Sequence, residues 1–254
     1  MGLQIETILL TLHKILYMIN EYDYSIVEKK ILNQHIEECL AGAHWIKEEY
    51  TLQDIKNWKD VPGWINDAQW IFKEVVDNCS DGDILLEIGT YFGQSACYMG
   101  ELIKNSGKDI KFDTFDKFDL DASFTAGFHP DKFTKYRQCD ELKTTPMYDV
   151  VQIHFIKCGV ENYINSIICN GNYAYKFYED NSLMLVYTDG INNSDNLFEF
   201  LNKLWPKLKK GGILAGDDII FTDVQNAVKK FCDYHNLDYD TNVQKTELSW
   251  LIRK

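Results

Sequence analysis

Near its start, the chain places hydrophobic residues at the spacing of α-helices. Apolar side chains recur at intervals of three and four over residues 5–19 and again over 27–40. Such spacing puts them on one face of a helix, so residues 1–60 are predicted to form a helical N-terminal extension. A further helix is predicted over residues 66–78, with Asn66 as its cap.

Beyond residue 80, short apolar runs alternate with amphipathic segments. The runs predicted to be strands are 83–89, 110–115, 151–156, 183–188 and 213–215, followed by short β segments at 239–244 and 247–252. Helices are predicted over 94–105, 195–208 and 223–235, the second capped by Gly211 or Gly212 in a left-handed conformation. This alternation predicts an α/β domain over residues 61–254, with a mostly parallel sheet covered by helices on both faces.

The net charge of −13 narrows the classes of partner. A negative protein repels the phosphate backbone, so binding to nucleic acid is not expected. The chain has no uninterrupted apolar stretch of about 18 residues, so no contact with a membrane is predicted. The seven cysteines form no C-x-x-C pair and are predicted to be reduced thiols of a cytoplasmic protein.

The stretch LLEIGTYFGQS (85–95) carries the first candidate chemistry. Glu87, Gly89 and Gly93 lie where the first predicted strand gives way to a helix, and glycines there permit a tight turn and the close approach of a ligand. The spacing differs from the G-x-G-x-x-G of dinucleotide-binding turns, and the chain has no P-loop motif. By itself, the motif is equally typical of a structural turn.

Acidic residues follow the later strands in the same way. Asp116 ends the second predicted strand, where an acid can accept hydrogen bonds from both hydroxyls of a ribose. Asp189 follows the fourth strand, and Asp217 and Asp218 follow the fifth. Because parallel strands end at one edge, these carboxylates and Glu87 would repel one another unless a cation lies among them. Mg²⁺ or Ca²⁺ would suit Asp189, Asp217 and Asp218; the alternative is that one of the pair caps the next helix and no metal binds.

Four segments in this order resemble the class I S-adenosylmethionine-dependent methyltransferases: LLEIGTYFGQSACYMGE, FDTFD, LMLVYTDG and LWPKLKKGGILAGDD. The resemblance covers about residues 60–254 and is greatest for the branch of macrocin-type and other sugar or antibiotic O-methyltransferases and cephalosporin-hydroxylase-like proteins. It implies a Rossmann-like, doubly wound, seven-stranded sheet. It also implies O-methylation of a small molecule or sugar, with S-adenosylmethionine as cofactor and Mg²⁺ as an assisting ion.

The resemblance also assigns roles to residues of this sequence. It implies that the loop from Glu87 to Gly93 holds the methionine part of the cofactor, with Ser95 near its carboxylate, and that Asp116 binds the ribose. The implied cofactor-binding residues are Glu87, Gly89, Thr90, Tyr91, Gly93, Ser95, Asp116 and Asp189. Asp189, Asp217 and Asp218 are the implied metal ligands in metal-dependent members.

Two departures from the family pattern concern the catalytic base and the adenine side. Relatives often have D-G-D-H after the fourth strand, whereas this chain has DGINN (189–193), with Asn192 in place of the histidine. They often have G-D-S after the third strand, whereas CGVE (158–161) follows the predicted strand here. The candidate catalytic residues are therefore Asp189 and His129, which lies in the aromatic insert after the second strand; for His129, a surface histidine is the alternative.

Other interpretations fit the same residues. The missing histidine and the altered adenine side are also typical of a methyltransferase fold kept as a non-catalytic interaction module. A nicotinamide-dependent oxidoreductase is disfavoured by the glycine spacing. The apolar face of the N-terminal helices packs on the domain, covers the site entrance or forms a homodimer contact. His154, within the 151–156 run, is interpreted as a hydrogen-bonded core residue.

Overall fold

The computed structural model of the protein describes residues 55–63, 65, 67–118, 147–190 and 194–254. The helices predicted before residue 55, the cap Asn66, the insert that contains His129 and the departure at Asn192 lie outside these residues. The division into residues 1–60 and 61–254 therefore stays a prediction.

A seven-stranded sheet forms the centre of the described domain. The strands are β1 Ile84–Ile88, β2 Lys111–Asp116, β3 Asn165–Ile168, β4 Leu183–Thr188, β5 Leu208–Gly216, β6 Val243–Lys245 and β7 Trp250–Arg253. Their order is β3-β2-β1-β4-β5-β7-β6; β1 to β5 pair in parallel, and β7 runs antiparallel to both its neighbours. This confirms the predicted Rossmann-like, seven-stranded, mostly parallel sheet.

Helices connect most of the strands. The α-helices are α1 Gln69–Asn78, α2 Gln94–Ser106, α3 Met147–Cys158, α4 Ser194–Leu204, α5 Thr222–Tyr234 and α6 Tyr239–Asn242. Short 3₁₀ helices are Trp58–Asp60, Glu161–Tyr163, Gly171–Phe177 and Trp205–Lys207. The predictions for α2 and α5 are confirmed within one residue, whereas α1 begins at Gln69 rather than at residue 66. The predicted β segment 239–244 starts as the helical turn α6 and becomes a strand only at Val243.

The central strands are buried on both faces, as their continuous apolar runs predict. All six residues of β4 and four of the five residues of β1 are buried. Trp58, ahead of the first helix, packs on the same domain with its ring centroid 4.7 Å from that of Tyr98 on α2. Within the described ranges, no helix is both long and apolar enough to cross a lipid bilayer.

The third strand lies later in the sequence than predicted. Residues 151–156 belong to helix α3, and β3 is Asn165–Ile168. A short apolar run cannot distinguish a buried strand from a buried helix by its spacing, and β3 itself is a partly exposed edge strand without such a run. CGVE (158–161) consequently spans the end of a helix, and the segment that follows the third strand is CNGN (169–172).

The fifth strand starts earlier than predicted, at Leu208, and helix α4 ends at Leu204 instead of residue 208. Gly211 has the left-handed conformation that was predicted, with a φ of +82°, but it lies inside β5. The pairing of β5 with β4 shifts register beside it. The prediction of a helix cap is therefore wrong, because an irregularity in a strand uses the left-handed glycine.

Candidate functional site

Five carboxylates gather at the carboxyl edge of the sheet: Glu87, Asp116, Asp189, Asp217 and Asp218. Glu87 lies on β1, Asp116 ends β2, and Asp189 and Asp217 directly follow β4 and β5. The negative charges of the other four all act on Asp189, which is partly buried. The structure thus brings together the acids that the sequence places at the ends of separate strands.

Glu87 is buried with one carboxylate oxygen unpaired. Thr114 Oγ1 donates to Glu87 Oε2 over 2.7 Å, while Oε1 has no hydrogen-bond partner among the described atoms. Burial raises the pKa of Glu87 to about 7; the nearby hydroxyl groups of Ser95 and Thr114 oppose this rise, and the charge of Asp116 adds to it. A buried acceptor without a donor is unfavourable, so Glu87 Oε1 is an acceptor that a donor group of a ligand or the nearby Ser95 hydroxyl can satisfy.

Asp189 lies at the end of β4, beside β1. Its backbone N–H donates to the carbonyl of Ile88 over 2.8 Å. Burial raises the pKa of the Asp189 carboxyl group well above its usual range, and the charges of the neighbouring carboxylates raise it further. This group therefore retains its proton more firmly than an exposed aspartate unless a cation binds nearby.

Asp217 is held by the C-terminal hairpin. The hydroxyl of the fully buried Ser249 donates to Asp217 Oδ1 over 3.2 Å, and Asp67 Oδ2 accepts the backbone N–H of Ser249 over 2.7 Å. Burial and the charge of Asp218 raise the pKa of Asp217 to about 7, against the hydrogen bonds from Ser249 and from the Asp218 backbone. Sequence reasoning missed Asp67 and Ser249, because their contact joins positions 182 residues apart and no local pattern marks it.

Asp116 orders the loop between β1 and α2. Its Oδ2 accepts the backbone N–H groups of Thr90 and Tyr91, each over 2.9 Å, and its Oδ1 accepts that of Phe118 over 2.8 Å. The hydroxyl of Thr90 is hydrogen-bonded to that of Thr114. A carboxylate offers about four acceptor positions, so these bonds leave capacity for a ligand hydroxyl. Binding of a ribose by Asp116 stays a prediction.

The two glycines of the loop are required by contacts within the protein. Both have positive φ, +96° at Gly89 and +86° at Gly93. A Cβ atom on Gly89 would collide with the carbonyl oxygen of Asp189, and one on Gly93 would come within 2.8 Å of the Phe155 ring on α3. The sequence interpretation assigned these glycines to a tight turn and to the close approach of a ligand; the structure adds that they let Asp189 and helix α3 pack closely on the loop.

Backbone strain is concentrated at the same edge. Five described residues other than glycine have positive φ, and three of them follow strand ends: Tyr91 after β1 (+51°), Phe118 after β2 (+51°) and Asp218 after β5 (+64°). Such conformations are unfavourable for residues with a side chain and persist only where the surroundings enforce them. This clustering is typical of a functional site.

The N-terminus of α2 points toward the same edge. Its N-cap is Gly93, which has no side chain to accept hydrogen bonds from the first turn. A helix start of this kind favours anions, including a carboxylate, and Ser95 in the first turn adds a hydroxyl. Gln94 fixes the segment ahead of α1, because its side chain donates to the carbonyl of Val61 over 2.8 Å and accepts the N–H of Ile65 over 3.2 Å.

The predicted metal ligands lie close together without forming a complete site. The charges of Asp217 and Asp218 both act on Asp189. However, in the part of the chain that the structure describes, no three histidine, cysteine, aspartate or glutamate side chains are arranged to hold a metal ion. The three aspartates as they stand therefore do not fit a metal ion, and His129, the other catalytic candidate, lies outside the described residues.

The segment after β3 was missed by sequence reasoning, since the third strand was placed too early. The backbone N–H of Cys169 donates to the carbonyl of Asp116 over 2.9 Å, and Gly171 packs so closely on Ile88 of β1 that a Cβ atom there would collide with its side chain. CNGN (169–172) thus borders the site between β1 and β2. It is the segment to compare with the G-D-S of relatives, in place of CGVE (158–161).

Comparisons with known proteins agree with this architecture. A family model described as a methyltransferase domain matches residues 86–219. The O-methyltransferase NovP aligns over 82% of this chain and 90% of its own at 15% identity, with a TM-score of 0.52. A protein from Corynebacterium glutamicum aligns over 95% of both chains at 11% identity, also with a TM-score of 0.52. A search of curated proteins found no match.

At these identities, the structural likeness concerns the fold alone. The family match shows more than the fold, because it spans over half of the chain. It includes the loop after β1 and the acids at the ends of β2, β4 and β5. The chain belongs to this methyltransferase-domain family and is a class I S-adenosylmethionine-dependent methyltransferase.

Proposed function

We propose that the protein transfers a methyl group from S-adenosylmethionine to a hydroxyl group of a small molecule or sugar at the carboxyl edge of its sheet. The observation that carries this proposal is the set of carboxylates gathered there, of which Glu87 is buried and Asp189 and Asp217 are partly buried. Among the described residues, the charges that act on these three groups are all negative. A cationic ligand relieves such repulsion, whereas a phosphate-bearing ligand would increase it.

The groups at this edge match the charged end of S-adenosylmethionine. That ligand has an ammonium group, a carboxylate and a sulfonium centre, and it supplies a methyl group already activated for displacement. The unpaired Glu87 Oε1 is placed to accept a hydrogen bond from the ammonium group. The start of α2 at Gly93, with Ser95 in its first turn, suits the carboxylate. Gly89, Thr90 and Tyr91 complete the proposed loop contacts.

The nucleoside end is assigned to the neighbouring strands. Asp116 retains acceptor capacity for the ribose hydroxyls while it orders the loop. Cys169 and Gly171 border the adenine side, because the segment after β3 is tied to the backbone of Asp116 and packs on β1. Comparison of CGVE (158–161) with the G-D-S of relatives predicted an altered adenine side. CGVE lies at the end of α3 and not after the third strand, so that comparison does not apply.

Asp189 is the proposed catalytic base. Methyl transfer to a hydroxyl requires removal of its proton, and a base works best when its pKa is near the working pH. Burial raises the pKa of Asp189 well above the ordinary range of an aspartate, which makes the carboxylate a stronger proton acceptor. His129 stays a second candidate from sequence.

Assistance by Mg²⁺ stays a prediction, and no step is assigned to a metal here. Asp189, Asp217 and Asp218 carry the oxygen ligands that Mg²⁺ prefers, yet no three acidic, histidine or cysteine side chains within the described segments converge on a metal position. Activity with added Mg²⁺ should be compared with activity in excess EDTA. Equal rates under the two conditions would show that methyl transfer does not require Mg²⁺.

The proposed acceptor is a neutral or weakly charged small molecule or glycan. The net charge of −13 argues against nucleic acid, and the acidic edge would repel strongly anionic acceptors. A homodimer, built through the apolar face of the N-terminal helices, and a cytoplasmic location are further proposals from the sequence.

The test is a transfer assay with S-adenosylmethionine labelled at its methyl group. The panel of acceptors would contain phenols, simple sugars, polyketides and amines, and both the labelled product and S-adenosylhomocysteine would be measured. We expect label on a hydroxyl-bearing acceptor. Label on amines alone would contradict O-methylation, and weak or absent cofactor binding without transfer to any acceptor class would favour the non-catalytic module.

A further inference from the structure

Helix α3 contacts the loop between β1 and α2 through a buried histidine. His154 Nδ1 lies 2.8 Å from the carbonyl oxygen of Phe92, and both residues are buried. Val151 and Phe155 of the same helix lie against Gly93, the next residue of the loop. One face of α3 therefore packs against two consecutive loop residues.

The hydrogen bond determines which ring nitrogen of this histidine carries the hydrogen. A carbonyl oxygen can only accept, so Nδ1 of His154 must carry the hydrogen. Burial lowers the pKa of His154 to about 4, against the opposing effect of the bond to Phe92, so the ring is neutral near pH 7. A neutral imidazole has a single N–H, and here that N–H belongs to Nδ1.

The loop is thus held from two sides. Asp116 accepts the N–H groups of Thr90 and Tyr91, and His154 donates to the carbonyl of Phe92. Between these bonds, Tyr91 has a φ of +51°, which a residue with a side chain rarely adopts. Bonds on both sides of Tyr91 compensate this strain and fix the directions of successive peptide groups.

We infer that His154 is a positioning residue for the cofactor loop: its Nδ1–H holds the Phe92 carbonyl, so that the loop has its binding conformation before the ligand arrives. This inference rests on the proposed role of residues 87–93 in binding S-adenosylmethionine. Without the hydrogen bond, the loop must be ordered at the moment of binding, and that conformational cost reduces affinity.

A histidine that serves only the core would have a different signature. Its replacement would lower stability, and any neutral side chain of similar size would serve about equally well. A positioning residue instead requires a donor at the place of Nδ1. Asparagine can present an amide N–H near the position of Nδ1, whereas the longer glutamine presents one near Nε2.

The experiment compares His154→Asn, His154→Gln and His154→Leu in the full chain. Calorimetric titration gives the dissociation constant for S-adenosylhomocysteine, and thermal melting gives the stability of each variant. Val150→Ala, at another buried position of α3, is the matched control. We expect His154→Gln and His154→Leu to weaken binding about tenfold, the effect of one lost hydrogen bond, and His154→Asn to stay within about threefold of wild type. The control should lose stability and keep its affinity.

A measurement on the unmodified protein covers the case in which variants fail to fold. The ¹⁵N chemical shifts of the histidine rings report which nitrogen carries the hydrogen, and we expect the Nδ1–H form for His154. The Nε2–H form, or equal affinities of the Asn and Gln variants, would overturn the inference. If wild type binds S-adenosylhomocysteine while these outcomes occur, the inference alone fails. If wild type does not bind it, the proposed function fails first.

Discussion

The acidic side chains at the two ends of strand β1 have pKa values shifted in opposite directions. At the amino end, Asp83 forms an ion pair with Lys209 at the start of β5 and accepts the backbone N–H of Ser80. Burial alone would raise the pKa of Asp83, but these bonds outweigh it and lower the pKa. At the carboxyl end, four residues later, no cation of the described residues acts on Glu87, and burial raises its pKa to about 7.

Lysines elsewhere at the amino edge also have partners. Lys108 donates to the carbonyls of Val76 and Asp77 at the end of α1, and Lys254 donates to those of Trp205 and Leu208. Charges at this edge are therefore matched within the chain, and they stabilise the fold. At the other edge, the charges that the described residues exert on Glu87, Asp189 and Asp217 are all negative. This difference separates an edge that stabilises the fold from the edge that we propose binds the ligand.

The largest effect should follow from Asp189→Asn, which keeps the shape of the side chain and removes the proposed base. We expect methyl transfer to fall by about a thousandfold, since general bases contribute factors of this size. S-adenosylhomocysteine binding should change far less. The measurement is the rate with labelled S-adenosylmethionine and a hydroxyl acceptor. A rate close to that of wild type would show that Asp189 is not the catalytic base.

The second prediction concerns the pH dependence of stability. The pKa of Glu87 is raised from 4.5 to about 7 in the folded protein, so the stabilisation from its protonated form is complete below pH 4.5 and lost as the pH rises through 7. Ionisation of Glu87 should lower the free energy of unfolding of the wild type by about 3 kcal/mol as the pH rises from 4.5 to above 7. Glu87→Gln should abolish this decrease. Urea denaturation of the ligand-free proteins across this range is the measurement. An unchanged slope in the variant would contradict the burial of an unmatched acid.

The third prediction concerns Asp116→Ala. The N–H groups of Thr90 and Tyr91 lose their shared acceptor, so the loop should become disordered in the free protein. We expect S-adenosylhomocysteine binding to weaken about tenfold to a hundredfold, the range for hydrogen bonds to a charged group. Asp113→Ala, on the same strand, is the control for stability alone; a loss of affinity equal to that of Asp116→Ala would refute the specific role.

The smallest effect is expected at the amino edge. Asp83→Asn breaks the pair with Lys209 and should lower the free energy of unfolding by about 1 kcal/mol, as for a partly exposed ion pair. Cofactor affinity and turnover should not change. Chemical denaturation and the transfer assay measure the two quantities. A large loss of activity in this variant would mean that the two edges are not separate in function.

The convergence of acids at one edge could be predicted from sequence, and the reason is topological. Glu87, Asp116, Asp189 and Asp217 each end or follow an apolar run, and parallel strands present their carboxyl ends together. No knowledge of side-chain contacts is needed for that step. The buried runs of β1 and β4 were also predicted, because strands covered on both faces are continuously apolar.

The sequence predictions that proved wrong, and the contacts that were missed, also have physical reasons. VQIHFI (151–156) is apolar enough for a strand, but it lies in helix α3, where Val151, His154 and Phe155 are buried and His154 contacts the loop. Gly211 was predicted to be left-handed and is, yet a strand irregularity uses it. Asp67 and Ser249 act through contacts between distant segments, which no local pattern reveals.

The most direct test of the central claim is a calorimetric titration of S-adenosylmethionine into the full chain at neutral pH, with adenosine titrated for comparison. If unmatched carboxylates form the site for the charged end of the cofactor, S-adenosylmethionine should bind saturably with a Kd in the micromolar range, roughly tenfold or more below that of adenosine, which lacks that end. No saturable heat at millimolar S-adenosylmethionine, or equal affinity for both compounds, would contradict the account.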